Sequence, residues 1–198
     1  MRIVGGRFRG RPLASPWGHA TRPTSDRVRE ALFNILAHGI DGFDIEGARV
    51  LDLFAGTGAL GLEALSRGAA YALFVEDDAE ARGAIRENVE ALGLTGDTKI
   101  WRRDACRLGP CAPMPPFQLL FADPPYAKGL GERALAAAVE GGWLSDGAVC
   151  VLEERAGVPL ALPEAVAARF EPLDTRTYGD TALHFLRYTA IGNPAAKP

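Results

Sequence analysis

"ARVLDLFAGTGALGLEALSRG", residues 48–68, is the stretch whose reading decides the fold. "ARVLDLF" (48–54) reads as a continuous strand of the kind buried on both faces of a parallel sheet. Gly56, Gly58 and Gly61 follow, and "GALGLEALSRG" (58–68) reads as a helix closing on Gly68. Strand, glycine loop and helix in that order form the first unit of a doubly wound α/β sheet.

The pattern continues downstream. "YALFVE" (71–76), "TKIWRRDA" (98–105), "FQLLFAD" (117–123) and "GAVCVLEE" (147–154) read as strands, and "DAEARGAIRENVEALG" (78–93) and "GERALAAAVEGG" (131–142) as helices. The segment 168–190 offers two more strand-like runs around Gly179-Asp180, a hairpin signal. The expectation is a seven-stranded, mostly parallel α/β sheet with an antiparallel C-terminal hairpin. Upstream, residues 21–39 read as a helix capped by Thr24, Ser25 or Asp26 and ended by Gly39. Residues 2–13 suit a small hairpin or extended arm, and "GNPAAKP" a frayed end. The organisation expected is a basic N-terminal arm (1–23), an α/β domain (24–190) and a tail (191–198).

A chain of 198 residues, 47% hydrophobic and 24% charged, suits one domain with a sizeable core. It has no run of about 18 apolar residues, and "MRIVGGRFRGR" lacks the apolar region of a signal. A cytoplasmic protein is expected. Cys106, Cys111 and Cys150 form no CxxC, and His19, His38 and His184 are scattered, so no metal site is expected. Charge is uneven: residues 1–30 carry seven arginines and a net +5, and the remainder carries −8. A basic arm on an acidic body is the asymmetry of a phosphate-contacting segment.

"GTGALG" satisfies GxGxxG, and Glu76 lies twenty residues beyond Gly56, able to take two ribose hydroxyls. Several nucleoside cofactors use such a crevice. Asp52, four residues before Gly56, tilts the choice away from a dinucleotide: a carboxylate sits badly beside a pyrophosphate but suits an ammonium group. Asp104, near the end of the third strand, can accept from an adenine amine. S-adenosylmethionine offers that set of an α-amino group, a diol, an adenine and no phosphate.

"LFADPPYAKG" (120–129) ends the fourth strand, which lies beside the first across the switch point where ligands bind. Asp123 and the carbonyl of Pro124 are two acceptors, and Pro124 has no N–H to compete with them. Side by side they suit a planar amino group with two hydrogens, with Tyr126 stacking on the ring that bears it. An exocyclic amine is a poor nucleophile because its lone pair is delocalised. Holding both hydrogens lets the nitrogen pyramidalise toward a methyl sulfonium.

"DLFAGTG" (52–58) and "DPPY" (123–126), with "RIVGGRFRGRPL" (2–13) and "RPTSDRVREALFNIL" (22–36), resemble the bacterial methyltransferases that modify N2 of guanine 966 in 16S ribosomal RNA. The resemblance runs from Arg2 to "YGDTALHFLRY" (178–188). "DPPY" alone marks only the wider group of amino methyltransferases; the N-terminal segment is the specific part. The resemblance implies a Rossmann-like class I methyltransferase fold, S-adenosylmethionine as donor, and the assembled or assembling small ribosomal subunit as partner. Carried over by position, Asp52, Gly56, Gly58 and Glu76 match the cofactor motifs, and Asp123, Pro124, Pro125 and Tyr126 the catalytic one. Phe54, Asp104 and Ala105 complete the expected cofactor set.

Arg2, Arg7, Arg9, Arg11, Arg22, Arg27 and Arg29 are expected to contact RNA phosphates, unless one of the last three meets the cofactor's carboxylate. Asn88 reads as a surface or packing residue and His184 as structural; a monomer is expected. Three other readings stay open: adenine N6 in DNA or RNA as target, an NAD(P)-dependent oxidoreductase resting on "GTGALG", and a non-catalytic RNA-binding protein.

Overall fold

The computed structural model describes residues 1–15 and 25–190. His19, Arg22, Thr24 and the tail 191–198 lie outside the described residues. Seven strands form one sheet: β1 (Arg49–Leu53), β2 (Tyr71–Val75), β3 (Thr98–Trp101), β4 (Phe117–Ala122), β5 (Leu144–Arg155), β6 (Phe170–Tyr178) and β7 (Thr181–Tyr188). Their order is β3-β2-β1-β4-β5-β7-β6. The first five run parallel, and β7 is antiparallel to both β5 and β6. The order reverses between β1 and β4, so the carboxyl ends of those two strands mark the crevice.

Helices α1 (Asp26–His38), α2 (Ala59–Ser66), α3 (Ala79–Ala91), α4 (Leu130–Glu140) and the short α5 (Glu164–Ala167) complete the fold. Successive residues of β1 and β4 point to opposite faces and bury on both. Val50, Phe74, Phe121 and Phe185 join one core with Phe33 of α1, Leu62 of α2 and Ile85 of α3. Leu51, Leu120 and Leu152 join the other with Leu135 of α4 and Trp143. Full burial of each such side chain stabilises by about 1.5–3 kcal/mol, which accounts for the apolar runs.

Local departures from the sequence reading have physical causes. Of the three candidate caps, Ser25 is used: its Oγ accepts from the Val28 N–H at 3.3 Å, while Asp26 is bonded to Arg2 and Arg29. β3 stops at Trp101 rather than Ala105, because the Asp104 Oδ1 accepts the Cys106 N–H at 2.8 Å and turns the chain out of the sheet. β5 begins at Leu144, earlier than its apolar run, and α5 is too short to carry a periodic signal.

The N-terminal arm is a lasso rather than a regular hairpin. Its cross-links are the Arg2–Pro12 bridge, the Ile3 N–H to Arg11 O at 3.0 Å and the Gly10 N–H to Ile3 O at 2.8 Å, around a 3-10 turn at Gly6–Phe8. The arm is packed down, with Ile3 and Leu13 in the same core as Phe33. Glu63 and Ser66 of α2, both buried, fasten its outward half. Glu63 Oε2 accepts the Val4 N–H at 2.8 Å; Ser66 Oγ accepts the Phe8 N–H at 2.9 Å and donates to Gly5 O at 2.6 Å.

Asn88 of α3 fastens the return. Its Oδ1 accepts the Ala14 N–H at 2.6 Å, and its Nδ2 donates to Ala14 O and to Thr57 O, each at 3.1 Å. At 2% exposure it is a latch between arm and glycine loop. Asn88→Ala would strand three part-buried backbone groups and should lower unfolding free energy by about 2 kcal/mol. Urea denaturation checks this, and amide exchange should quicken first across residues 1–14.

Candidate active site

The glycine loop begins where β1 ends. Gly56 and Gly58 have φ of +56° and +75°, conformations that side chains rarely adopt. An added Cβ at Gly56 would meet Phe54 O at 4.0 Å, leaving room for a cradle there, while at Gly58 it would press Phe74 at 3.2 Å. Phe54 and Ala127 are the non-glycine residues with positive φ among the described residues, one in each loop at the switch point. Clustering of this costly conformation in facing loops is characteristic of functional sites.

Asp52 is 2% exposed, and its Oδ2 accepts the Gly61 N–H at 2.9 Å. Burial pushes its carboxyl up to about 8 against that bond, with the Glu76 charge adding to the rise. Glu76, also buried, braces the loop: Oε2 accepts from Gly56 N–H at 2.8 Å and Oε1 from Asp78 N–H at 2.9 Å. Burial raises its pKa as well. Carboxylates have about four acceptor positions, so these bonds leave Glu76 able to take hydroxyls. Asp104 is exposed in the turn after β3, and Ala105 beside it is buried. Cys106 Sγ reaches Leu130 O at 3.5 Å, which ties this turn to the start of α4. The set fits a ligand carrying a cation, a diol and an amine.

Asp123 stands one residue beyond the Ala122–Leu152 pair, so it leaves β4 beside Glu153 of β5. Asp52 lies on the neighbouring β1, in register with Phe121. Burial and the charges of Glu153 and Asp52 together hold the Asp123 carboxyl well above the ordinary range. Pro124 is buried and Pro125 exposed. The Tyr126 hydroxyl donates to Glu153 Oε1 at 2.5 Å and lies 2.9 Å from Thr181 Oγ1 of β7. Burial and the Glu153 bond push its pKa upward. Ala127 N–H donates to Glu154 Oε1 at 3.0 Å. The DPPY segment is therefore held from below by β5 and from the side by the C-terminal hairpin. Sequence reading missed Glu153, Glu154 and Thr181; the acids at the end of "VCVLEE" were the available signal.

The arginines divide. Arg29 is 1% exposed and bonded to Arg2 O and Asp26 Oδ1, so in this structure it holds the arm rather than facing a phosphate. Arg2 pairs with Asp26 at 2.9 Å while remaining 65% exposed. Arg11 donates to Ala91 O at 2.9 Å, and Arg7 lies over the Phe8 ring. Arg9 and Arg27 are exposed. An open cleft of about 450 Å³ lined by Gly6, Arg7, Glu46 and Arg67 lies at the far end of α2, away from the strands' carboxyl ends. Among the described residues, no group of His, Cys, Asp and Glu could hold a metal ion, and no helix is long and apolar enough to cross a membrane.

A glycine loop after β1, an acid just after β2 and DPPY after β4, on a sheet whose last strands turn antiparallel, define the Rossmann-like class I methyltransferase fold. The chain belongs to the family described as Conserved hypothetical protein 95, whose profile matches residues 1–187. It is 40% identical over 153 residues to the Ribosomal RNA small subunit methyltransferase D of Escherichia coli strain K12, covering 77% of this chain and 74% of that protein. The protein of the same name from Haemophilus influenzae is 35% identical over 166 residues, 83% of each chain. The solved structure of yhhF from Escherichia coli superposes with a TM-score of 0.80 at 37% identity, covering 96% of this chain and 98% of that one.

If the Glu153 and Thr181 contacts fix the Tyr126 ring, Tyr126→Phe should lower kcat/KM about tenfold, the worth of a hydrogen bond to a charged group. The melting temperature should move by only a few degrees. Steady-state kinetics and thermal unfolding separate the two.

Proposed function

We propose that this chain transfers a methyl group from S-adenosylmethionine to the N2 amine of guanine 966 in 16S ribosomal RNA within the small ribosomal subunit. The observation that carries the reading is the placement of Asp123, Pro124 and Tyr126 at the switch point, beside a glycine loop flanked by two buried acids. The names of the relatives support a small-subunit RNA substrate. The guanine N2 target rests on the resemblance of the N-terminal segment and the motifs.

S-adenosylmethionine supplies a methyl carried on a sulfonium, whose S–C bond breaks as the new N–C bond forms. Asp52 would face the ammonium group, Glu76 would take the ribose hydroxyls and Asp104 would accept from the adenine amine, with Phe54 and Ala105 completing the set. Asp123 and the Pro124 carbonyl accept the two hydrogens of the guanine amine, and the Tyr126 ring stacks on the base. A carboxyl whose pKa is raised is a stronger base once ionised, so Asp123 is suited to take the proton the amine sheds. Arg2, Arg7, Arg9, Arg11, Arg22 and Arg27 supply phosphate contacts.

Labelled S-adenosylmethionine, incubated with unmodified small subunits, naked 16S RNA or duplex DNA and followed by nucleoside identification, tests the reading. Label is expected as N2-methylguanosine, from subunits in preference to DNA. Label as N6-methyladenine would overturn the target, and none at all would overturn the activity. Asp123→Asn should lower turnover at least 100-fold, within the range for loss of a general base, while the cofactor still binds.

A further inference from the structure

The arm cannot be the whole RNA-binding surface. Its ends meet the glycine loop, through Met1 Sδ near Thr57 Oγ1 at 3.5 Å and through the Asn88 latch. Its tip, with Gly5 and Phe8 bonded to Ser66, sits at the other end of α2. That helix has eight residues, about 12 Å of rise. Arg7 and Arg9 travel with the tip, away from the carboxyl ends of the strands where a target base must enter.

We propose that the opposite wall of the crevice, formed by the turn after β3 and the loop leading into α4, is a second RNA-backbone site built from Arg102, Arg103, Arg107, Lys128 and Arg133. All five are exposed, in a body whose net charge beyond residue 30 is −8. The two segments are joined by the Cys106 Sγ to Leu130 O contact, and the Arg107 and Arg133 charges both act on that thiol, so they converge on one spot. Arg103 is held in place, stacked over the Trp101 ring at 4.5 Å and bonded to Leu108 O. Arg107 keeps 82% of its side chain exposed despite a 4.0 Å approach to Asp104. Acids do not neutralise the wall: Asp104 is the acid in the turn, and Glu132 is buried with its Oε1 bonded to the Ala161 N–H. The wall lies on the α4 side of the sheet and the arm on the α2 side, so a strand entering the crevice passes between two basic surfaces. Exposed cationic side chains without base-reading partners suit phosphates rather than base edges.

The proposal rests on the RNA methyltransferase reading, and its test is arranged so that the two fail separately. The triple variant Arg102→Ala/Arg107→Ala/Arg133→Ala leaves the proposed catalytic and cofactor residues intact. Binding to purified small subunits would be measured against salt concentration, with methyl transfer and S-adenosylmethionine affinity in parallel. Loss of three phosphate contacts should shallow the log–log salt slope by about 2 and weaken subunit binding at least tenfold. KM for subunits should rise in step, with kcat, cofactor affinity and melting temperature within twofold or a few degrees of wild type. An unchanged salt slope and KM overturn the second site even if wild type transfers methyl. A shallower slope with no methyl transfer by wild type keeps the site and overturns the function.

Discussion

Asp52 stands next to last in β1, beside the sheet's middle strand β4, at 2% exposure, and accommodating its carboxyl dictates much around it. An ionised carboxyl in apolar surroundings is costly, so burial drives the group toward its protonated form, to about 8. The Gly61 N–H reaches it because α2 lies close: a Cβ at Gly61 would stand 2.5 Å from Phe74 and 3.1 Å from Asp52 Oδ2. That close approach in turn needs the left-handed Gly58 at the helix start and Glu76 to hold the Gly56 N–H. A raised acid stabilises the fold fully below its ordinary pKa, and that contribution is lost as pH rises toward about 8. The apolar layers on either face carry this burden, and a bound cation reverses it.

The same constraint extends along the sheet. Asp123 and Glu153 stand on the next two strands, and each negative charge disfavours another. Tyr126 donates a hydrogen bond into this group, and the positive-φ Ala127 turns the chain so that Glu154 can accept from its N–H. The acids thus set the shape of the DPPY loop. The positive charge belongs elsewhere, on the arm across α2 and on the wall beside α4, where it is exposed. Desolvated acids thus gather at the strands' carboxyl ends, while these arginines stay in solvent.

Much of this was legible in the sequence because it is written locally. A strand, three glycines and an acid twenty residues on give Asp52, Gly56, Gly58 and Glu76 their places, and the apolar run that stops at "DPPY" marks the end of β4. The less legible parts depend on partners far apart in the chain. Asn88 reads as an ordinary helix residue until Ala14, 74 positions away, is placed against it. Arg29 looks like its neighbour Arg27 until Arg2 folds over it. The end of β3 was misplaced because "RRDA" has no breaker; the Asx turn at Asp104 does that work through a side chain. The acidic net charge beyond residue 30 concealed the basic wall, since charge counted along a chain says nothing of where loops converge.

A row of desolvated carboxyls suits a cation, and proton release on cofactor binding tests this most directly. Titration calorimetry with S-adenosylmethionine at neutral pH, in two buffers of different ionisation enthalpy, counts the protons exchanged. Asp52, mostly protonated at neutral pH when alone, should ionise against the ligand's positive charge, so nearly one proton should leave per cofactor bound. Binding should tighten as pH rises toward about 8. Binding without proton release, or with uptake, would contradict the account.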